Sequence, residues 1–378
     1  MFTRFFLLLL IRLTTEYNNS NTTSKLPLHI LGLFPFRGSW KGGEGHWPAI
    51  EIALKDVNEK EGMLNGYELK ISKDDTECDP GKGIIQMFER IYLKNQKSLI
   101  VLGAGCSDVS QTTARVLNHM KIVQLSYTSA SPALSDKKIY GTFFRVFPPE
   151  SAFNAAKLAM LKQYGWKKIA TLTETKELFS ITTSKFLTEA KNEGIKILTS
   201  ESFTIDPRPK VRNIKKHGAR IIIGNFYADM ARLVFCEAYK EKMFGGKYVW
   251  IITGFYTKDW WKDRVDDVEC TEEEMERAVD GYFSMSASNH SITNKTGISG
   301  KTTDEFEREY LKKVNYTYPT GYDEATYGYD SVWTIADVLN RTIEYMKHKG
   351  EEAEGVEEDN DECEEKRRKA KKKPIGNK

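Results

Sequence analysis

Three turns rich in small and hydroxylated residues hold the chemistry this sequence offers. Gly103-Ala104-Gly105-Cys106-Ser107 leads into a helical pattern, and Ser126-Tyr127-Thr128-Ser129-Ala130-Ser131-Pro132 follows a short apolar run. A third turn, after Phe36, carries Gly38, Ser39 and Trp40, then Gly42 and Gly43. Small residues leave main-chain N–H groups uncovered, and a helix N-terminus favours negative charge. With the hydroxyls of Ser107 and Ser129, the first two turns make a cradle for an anion. Neither turn contains Lys or Arg, so a single carboxylate suits it better than a phosphate chain. The alternative is structural, with Ser107 as a helix cap and Ser129 in an ordinary turn.

Other chemistries find little support. GAGCSD lacks the third glycine of a dinucleotide turn, and no nucleophile elbow, H-E-x-x-H or P-loop occurs. The six histidines (His29, His46, His119, His217, His290 and His348) fall in no metal or triad spacing, so each is expected to be an ordinary surface or hydrogen-bonded residue. No catalytic residue, metal or cofactor is expected, and the chain reads as a binding protein rather than an enzyme. Of the five cysteines, Cys78, Cys106, Cys236 and Cys270 allow two bridges in three connectivities, with Cys363 left over in a charged tail. A net charge of only +3 gives no electrostatic reason to expect nucleic acid.

The elements that must position these turns follow an α/β alternation. The chain has 378 residues, too many for one ordinary core and suited to two lobes. Apolar runs at 28–34, 67–71, 98–102 and 122–125 read as strands, with helices at 48–57, 81–93 and 110–120 between them. Pro48 is placed in the first turn of its helix. The pattern restarts after Pro148, with strands at 168–172, 195–199, 220–224 and 248–253. Each lobe therefore carries a parallel sheet, and ligands of such sheets sit outside the carboxyl ends of the strands. The chain is read as crossing back to the first lobe at 280–284 and continuing in a long helix at 330–345. The divisions are 1–25 for a signal peptide and flexible N-terminus, 26–149 for lobe 1, 150–279 for lobe 2, 280–346 for the return to lobe 1, and 347–378 for a disordered charged tail. Sequons at Asn18, Asn21, Asn289, Asn294, Asn315 and Asn340 agree with secretion. A mean hydropathy of −0.50 argues against a polytopic membrane protein.

Longer blocks carry a family resemblance. CDPGKG at Cys78, GCSDVS at Gly105, LSYTSASPALS at Leu125, YGWKKIATLTE at Tyr164, ARIIIGNFY at Ala219, VFCEAYKEKMFGGKYVW at Val234 and GYDSVW at Gly328 resemble the GABA-B receptor ectodomain, over about residues 26–345. The resemblance implies a bilobed, periplasmic-binding-protein-like "Venus flytrap" of a class C G-protein-coupled receptor. It implies bridges Cys78–Cys106 and Cys236–Cys270. It also implies a pocket for GABA or a related amino acid, with Trp40 against the ligand, Ser107 on its carboxylate, Tyr227 closing from the second lobe and Glu324 on its ammonium. A second subunit as heterodimer partner is implied, as is a place on the outer face of the plasma membrane, or secretion of the chain as it stands. A G protein would be reached only through a seven-helix region that this sequence lacks.

Three pocket positions depart from that pattern. Ala130 stands for a serine, beside Ser129 and Ser131; Phe147 stands for a histidine; Phe255 stands for a tryptophan. Loss of the serine hydroxyl removes ~1 kcal/mol of binding unless a neighbour replaces it. TECD at Thr76, DKKIYGTFFR at Asp136, KDWW at Lys258 and ISGKTTDEFEREY at Ile298 look more like the partner subunit that binds no agonist. The readings are therefore an amino-acid-binding subunit, a non-binding partner or soluble decoy, and a solute-binding or enzymatic protein of the same fold. Met87, Phe88 and Tyr92 form either a partner face or part of the lobe's own core.

Overall fold

Alternating apolar runs and amphipathic helices build two parallel sheets in the computed structural model, which describes residues 25–93, 98–263, 267–287, 293 and 295–348. The expected signal peptide, the sequons at Asn18, Asn21, Asn289 and Asn294, Cys363 and the charged tail lie outside the described residues. Residues 26–338 form one compact unit, and the remainder is grouped separately.

The first sheet contains β1 (Leu26–Phe34), β2 (Tyr67–Ile71), β3 (Asp74–Asp75), β4 (Ile100–Leu102), β5 (Val123–Ser126) and β6 (Phe143–Arg145). Their order is β2-β1-β4-β5-β6, with β3 also paired to β1. The helices are α1 (Gly43–Glu59), α2 (Pro80–Phe88), which continues as one π-turn (Glu89–Leu93), and α3 (Ser107–Met120). Leu31, Leu33, Met87, Val101, Val109 and Leu117 form the core between β1, β4, α2 and α3.

The second sheet contains β7 (Lys168–Glu174), β8 (Lys196–Phe203), β9 (Ile221–Asn225), β10 (Val249–Thr253) and β11 (Phe283–Met285), in the order β11-β10-β9-β7-β8. Its helices are α4 (Asn154–Gln163), α5 (Glu177–Asn192), α6 (Arg208–Lys216), α7 (Ala228–Lys240) and α8 (Glu272–Val279). Helices cover both faces, which explains the unbroken apolar runs of its inner strands. Leu172, Ile222, Val234, Phe235, Trp250 and Ile252 fill one face. Ile169, Phe186, Ile223 and Ile251 fill the other. Two helices complete the chain, α9 (Thr303–Lys313) and α10 (Ala325–His348).

Two sequence expectations are corrected. β11 pairs in parallel with β10, so the chain is still in the second sheet at Met285 and does not return at 280–284. Pro48 lies inside α1 rather than in its first turn, because Gly43 already donates to the Pro35 carbonyl and starts the helix five residues earlier. The two bridges are Cys78–Cys106 and Cys236–Cys270. The first closes a separation of 28 residues, which by chain entropy stabilises the fold by roughly 3–4 kcal/mol. It also ties the turn before α3 to the start of α2. Among the described residues no helix is long and apolar enough to cross a membrane.

Candidate functional site

The carboxyl ends of β1, β4, β5, β7, β9 and β10 converge on one cleft, as expected of parallel sheets. From the first sheet, the cleft receives Trp40, the Gly105–Ser107 turn, Thr128 and Ala130; Phe147 follows β6. From the second it receives Leu178, Tyr227 and Phe255, and Glu324 comes from just before α10.

Ser107 settles its own role through its hydrogen bonds. It does not cap α3: the residue at that cap is Cys106, and no side chain bonds there. Instead Ser107 Oγ accepts the N–H groups of Ala130 at 3.1 Å and Ser131 at 3.0 Å. A hydroxyl has two acceptor lone pairs and one proton. With both lone pairs filled, the Ser107 proton is left to donate to whatever enters the cleft. The main-chain N–H groups expected to be free in the Ser129 turn are thus those that orient Ser107.

Ser129 is not at the cleft. It is fully buried, and its hydroxyl donates to Ala104 O at 2.9 Å and lies 2.8 Å from Ser110 Oγ. Ser126 Oγ donates to the same Ala104 carbonyl at 2.7 Å, and Gln124 Nε2 donates to Gly103 O at 2.9 Å. Arg145 Nη1 clasps the carbonyls of Ser129 and Ser131, each at 2.9 Å. Spacing alone assigned Ser129 to the anion; the turn points its hydroxyl inward, where it staples two loops together. Gly105 lets them approach closely, since a Cβ there would press on the Trp40 and Tyr127 side chains at 3.0 Å.

Glu324 sits opposite in character. It is 3% exposed, and its Oε1 has no hydrogen-bond partner among the described residues. Burial, with the charges of Asp323 and Glu150 behind it, pushes its carboxyl up to about 8, although its own N–H opposes the shift. His46 fixes the surroundings: buried, it donates from Nδ1 to Gly42 O at 2.5 Å. Burial lowers the imidazole to about 4, so it is neutral, as an ordinary hydrogen-bonded histidine should be. The loop before α10 is pinned to α1 by close main-chain contact: a Cβ on Gly321, whose φ is +85°, would meet Gly42 O at 2.5 Å.

The second-sheet side of the cleft is aromatic. Tyr227 meets Phe179 edge-on at 5.0 Å and Phe255 at 5.7 Å. Its N–H is held by Glu174 Oε2 at 2.9 Å. Burial raises Glu174 to about 7, against the pull of that N–H and of Lys176. Ala130 and Phe147 pack in the same cluster as Leu178, Phe179 and Tyr227, so the two sheets' elements meet directly. Gln111 of α3 donates to Glu177 of α5 across the gap.

Seven of the eight residues expected to contact a ligand therefore come together: Trp40, Ser107, Ala130, Phe147, Tyr227, Phe255 and Glu324. Ser129 does not. Thr128 and Leu178 line the cleft without having been singled out. Leu178 follows the carboxyl end of β7, and that position was the signal available for it. Among the described residues no group of three acidic, histidine or cysteine side chains is arranged to hold a metal.

Comparison with known proteins agrees with this architecture. The family described as "Receptor family ligand binding region" matches residues 47–369. The chain is 38% identical over 330 residues to mouse gamma-aminobutyric acid type B receptor subunit 1, covering 86% of this chain and 34% of that protein. It is 37% identical over 324 residues to human subunit 2 of the same receptor, covering 84% and 34%. Caenorhabditis elegans subunit 1 is 34% identical over 322 residues, covering 83% and 35%. The chain spans about a third of the length of these relatives, which are receptor subunits and not enzymes. A solved structure of a leucine-binding protein, LivK, from Thermotoga maritima superimposes with a TM-score of 0.69 at 17% identity, covering 83% of each chain. That likeness shows the periplasmic-binding-protein-like fold.

Proposed function

This chain belongs to the receptor ligand-binding-region family and within it to the GABA-B type, and from that premise we propose that it closes on a small zwitterionic amino acid of the γ-aminobutyric acid kind. The ligand carboxylate takes the Ser107 proton, and the N-terminus of α3 favours its charge. The ligand cation takes Glu324. Tyr227 and Phe255 come from the second sheet, so a ligand held by both walls favours the closed arrangement over an open one. The observation that carries this reading is the pair of unmet needs at the two ends of one cleft. Ser107 has a proton and no free lone pair, and Glu324 has a buried oxygen and no donor. In the longer receptor the module lies on the outer face of the plasma membrane, and signalling to a G protein runs through regions beyond this chain.

The test is calorimetric titration of 4-aminobutanoate into the purified, folded chain, with Glu324→Ala beside it. Saturable heat that the variant loses is the expected result. No heat from folded wild-type protein would rule out 4-aminobutanoate itself, and silence from its N-alkylated analogue as well would sink the zwitterion reading.

A second reading, a partner subunit acting through heterodimerisation, draws on one surface. Met87 is fully buried, but Phe88 and Tyr92 are 37% and 63% exposed and stack at 5.6 Å. Ile85 beside them is 54% exposed. This apolar patch on α2 and its π-turn suits a second receptor subunit, and the two roles are compatible in one chain.

A further inference from the structure

Glu324 and Phe255 line not only the cleft but also a second cavity beside it. By the same measure the cleft offers about 40 Å³ and the second cavity about 280 Å³. A ligand whose cation rests on Glu324 therefore has little room on the cleft side and much more beyond.

The cleft is also poor in acceptors for a primary ammonium, which brings three N–H donors. The lining side chains with acceptor oxygens, besides Glu324, are Ser107, Thr128 and Tyr227. Ser107 already accepts two amides, so of the first-sheet hydroxyls only Thr128, which donates to Gly105 O at 3.3 Å, keeps lone pairs for a donor. In the proposed binding mode the Tyr227 hydroxyl, closing from the second sheet, goes to the ligand carboxylate. Around the acid the walls are rings instead: Trp40, Phe147 and Phe255, with Tyr327 edge-on to Phe147 at 5.0 Å. The second cavity continues in kind with Tyr318, Tyr322 and the acidic Asp323. Lys258 lines it as well, with its ammonium held over the Tyr318 ring, 5.7 Å from the centroid. Ring faces attract cations and accept N-alkyl groups, whereas N–H donors turned toward them go unpaired.

We propose that the cationic end of the ligand is an N-alkylated ammonium, methylated or quaternary, with its charge on Glu324 and its alkyl groups against Phe147 and Phe255 and into the second cavity. This rests on the zwitterion reading above and specifies the ligand class. A quaternary nitrogen has no N–H to satisfy, so the shortage of acceptors ceases to matter, and its bulk uses the space that a bare ammonium leaves empty.

The experiment titrates 4-(trimethylammonio)butanoate and 4-aminobutanoate, separately, into the full chain. The trimethylated compound is expected to bind at least about tenfold more tightly. Equal binding, or tighter binding of the primary amine, overturns the inference and leaves the zwitterion reading standing. No saturable heat from either compound on folded protein removes both. A Phe147→His variant, checked for folding by its thermal melt, supplies a nitrogen acceptor beside the cation and is expected to bring the ratio toward one. An unchanged ratio would count against the contact with Phe147.

Discussion

The two walls of the cleft are built from different forces. The first-sheet wall is a hydrogen-bonded staple: Ser126, Ser129, Ser110 and Gln124 bind the Gly103–Gly105 main chain, and the Cys78–Cys106 bridge anchors the same turn. The second-sheet wall is a ring cluster of Phe179, Tyr227 and Phe255, with Glu174 as its main polar tether. Hydrogen bonds fix direction, and ring contacts tolerate sliding. A ligand docks best on the wall whose donors are already aimed. The wall that closes over it need only present surface.

The largest effect should come from breaking the staple. Ser129→Val removes the hydroxyl that links Ala104 O and Ser110, both of which keep other partners, and forces a branched side chain into a site with no exposed surface. A stability loss of about 2–4 kcal/mol is expected by chemical denaturation, with ligand affinity falling as the Ser107 turn loosens. Phe179→Leu, in the opposite wall, should cost about 1–2 kcal/mol and leave the Ser107 end intact. If the two variants lose stability and affinity in the same proportion, the distinction between an aimed wall and a covering wall fails.

Next in size is the dependence on pH. Glu324 is pushed up to about 8 by burial, above its ordinary range near 4.5. A cation needs the carboxylate, so binding below that value must expel a proton. Affinity should then rise up to tenfold per pH unit toward about pH 8 and level off above it. The ligand-free fold runs the other way. Its folded-state value exceeds the unfolded one, so this group's contribution to stability is complete below about pH 4.5 and falls as pH rises toward 8. Glu324→Gln should flatten the affinity slope and lessen the stability slope, whose remainder belongs to Glu174, itself raised to about 7. A wild-type affinity that does not change between about pH 6 and pH 8 would show that Glu324 does not carry the cation.

How much of this was legible in the sequence follows from the same contrast. The runs that became β1 and β10 are long and apolar, and so is the pattern of α7. β3, β6 and β11 have two or three residues each and no run of buried positions that could mark them. Nothing in the residues of β11 therefore announces that the second sheet continues to Met285. Ser107 and Ser129 stand in similar small-residue turns, and no spacing rule tells which hydroxyl faces the cleft. Only the paths of the loops after β4 and β5 separate them. Trp40, Tyr227, Phe255 and Glu324 are hundreds of residues apart at the extremes and came from family resemblance, because nothing local marks a residue that acts across a gap. The second cavity was not legible at all, since Lys258, Tyr318 and Asp323 meet only when two loops face each other.

The smallest effect tests the covering wall alone. Tyr227→Phe keeps the ring that packs on Phe179 and Phe255 and removes only the hydroxyl. The Tyr227 N–H that Glu174 holds belongs to the main chain and survives the change. Stability should therefore move by no more than about 0.5 kcal/mol, and affinity should fall about fivefold, the worth of one hydrogen bond to the ligand carboxylate. Because that bond exists only when the walls meet, the loss should appear as faster ligand release, with association little changed. Stopped-flow binding separates the two rates. A slower association with unchanged release would place Tyr227 in the docking step, and the wall assigned to closure would share the work of the one assigned to capture.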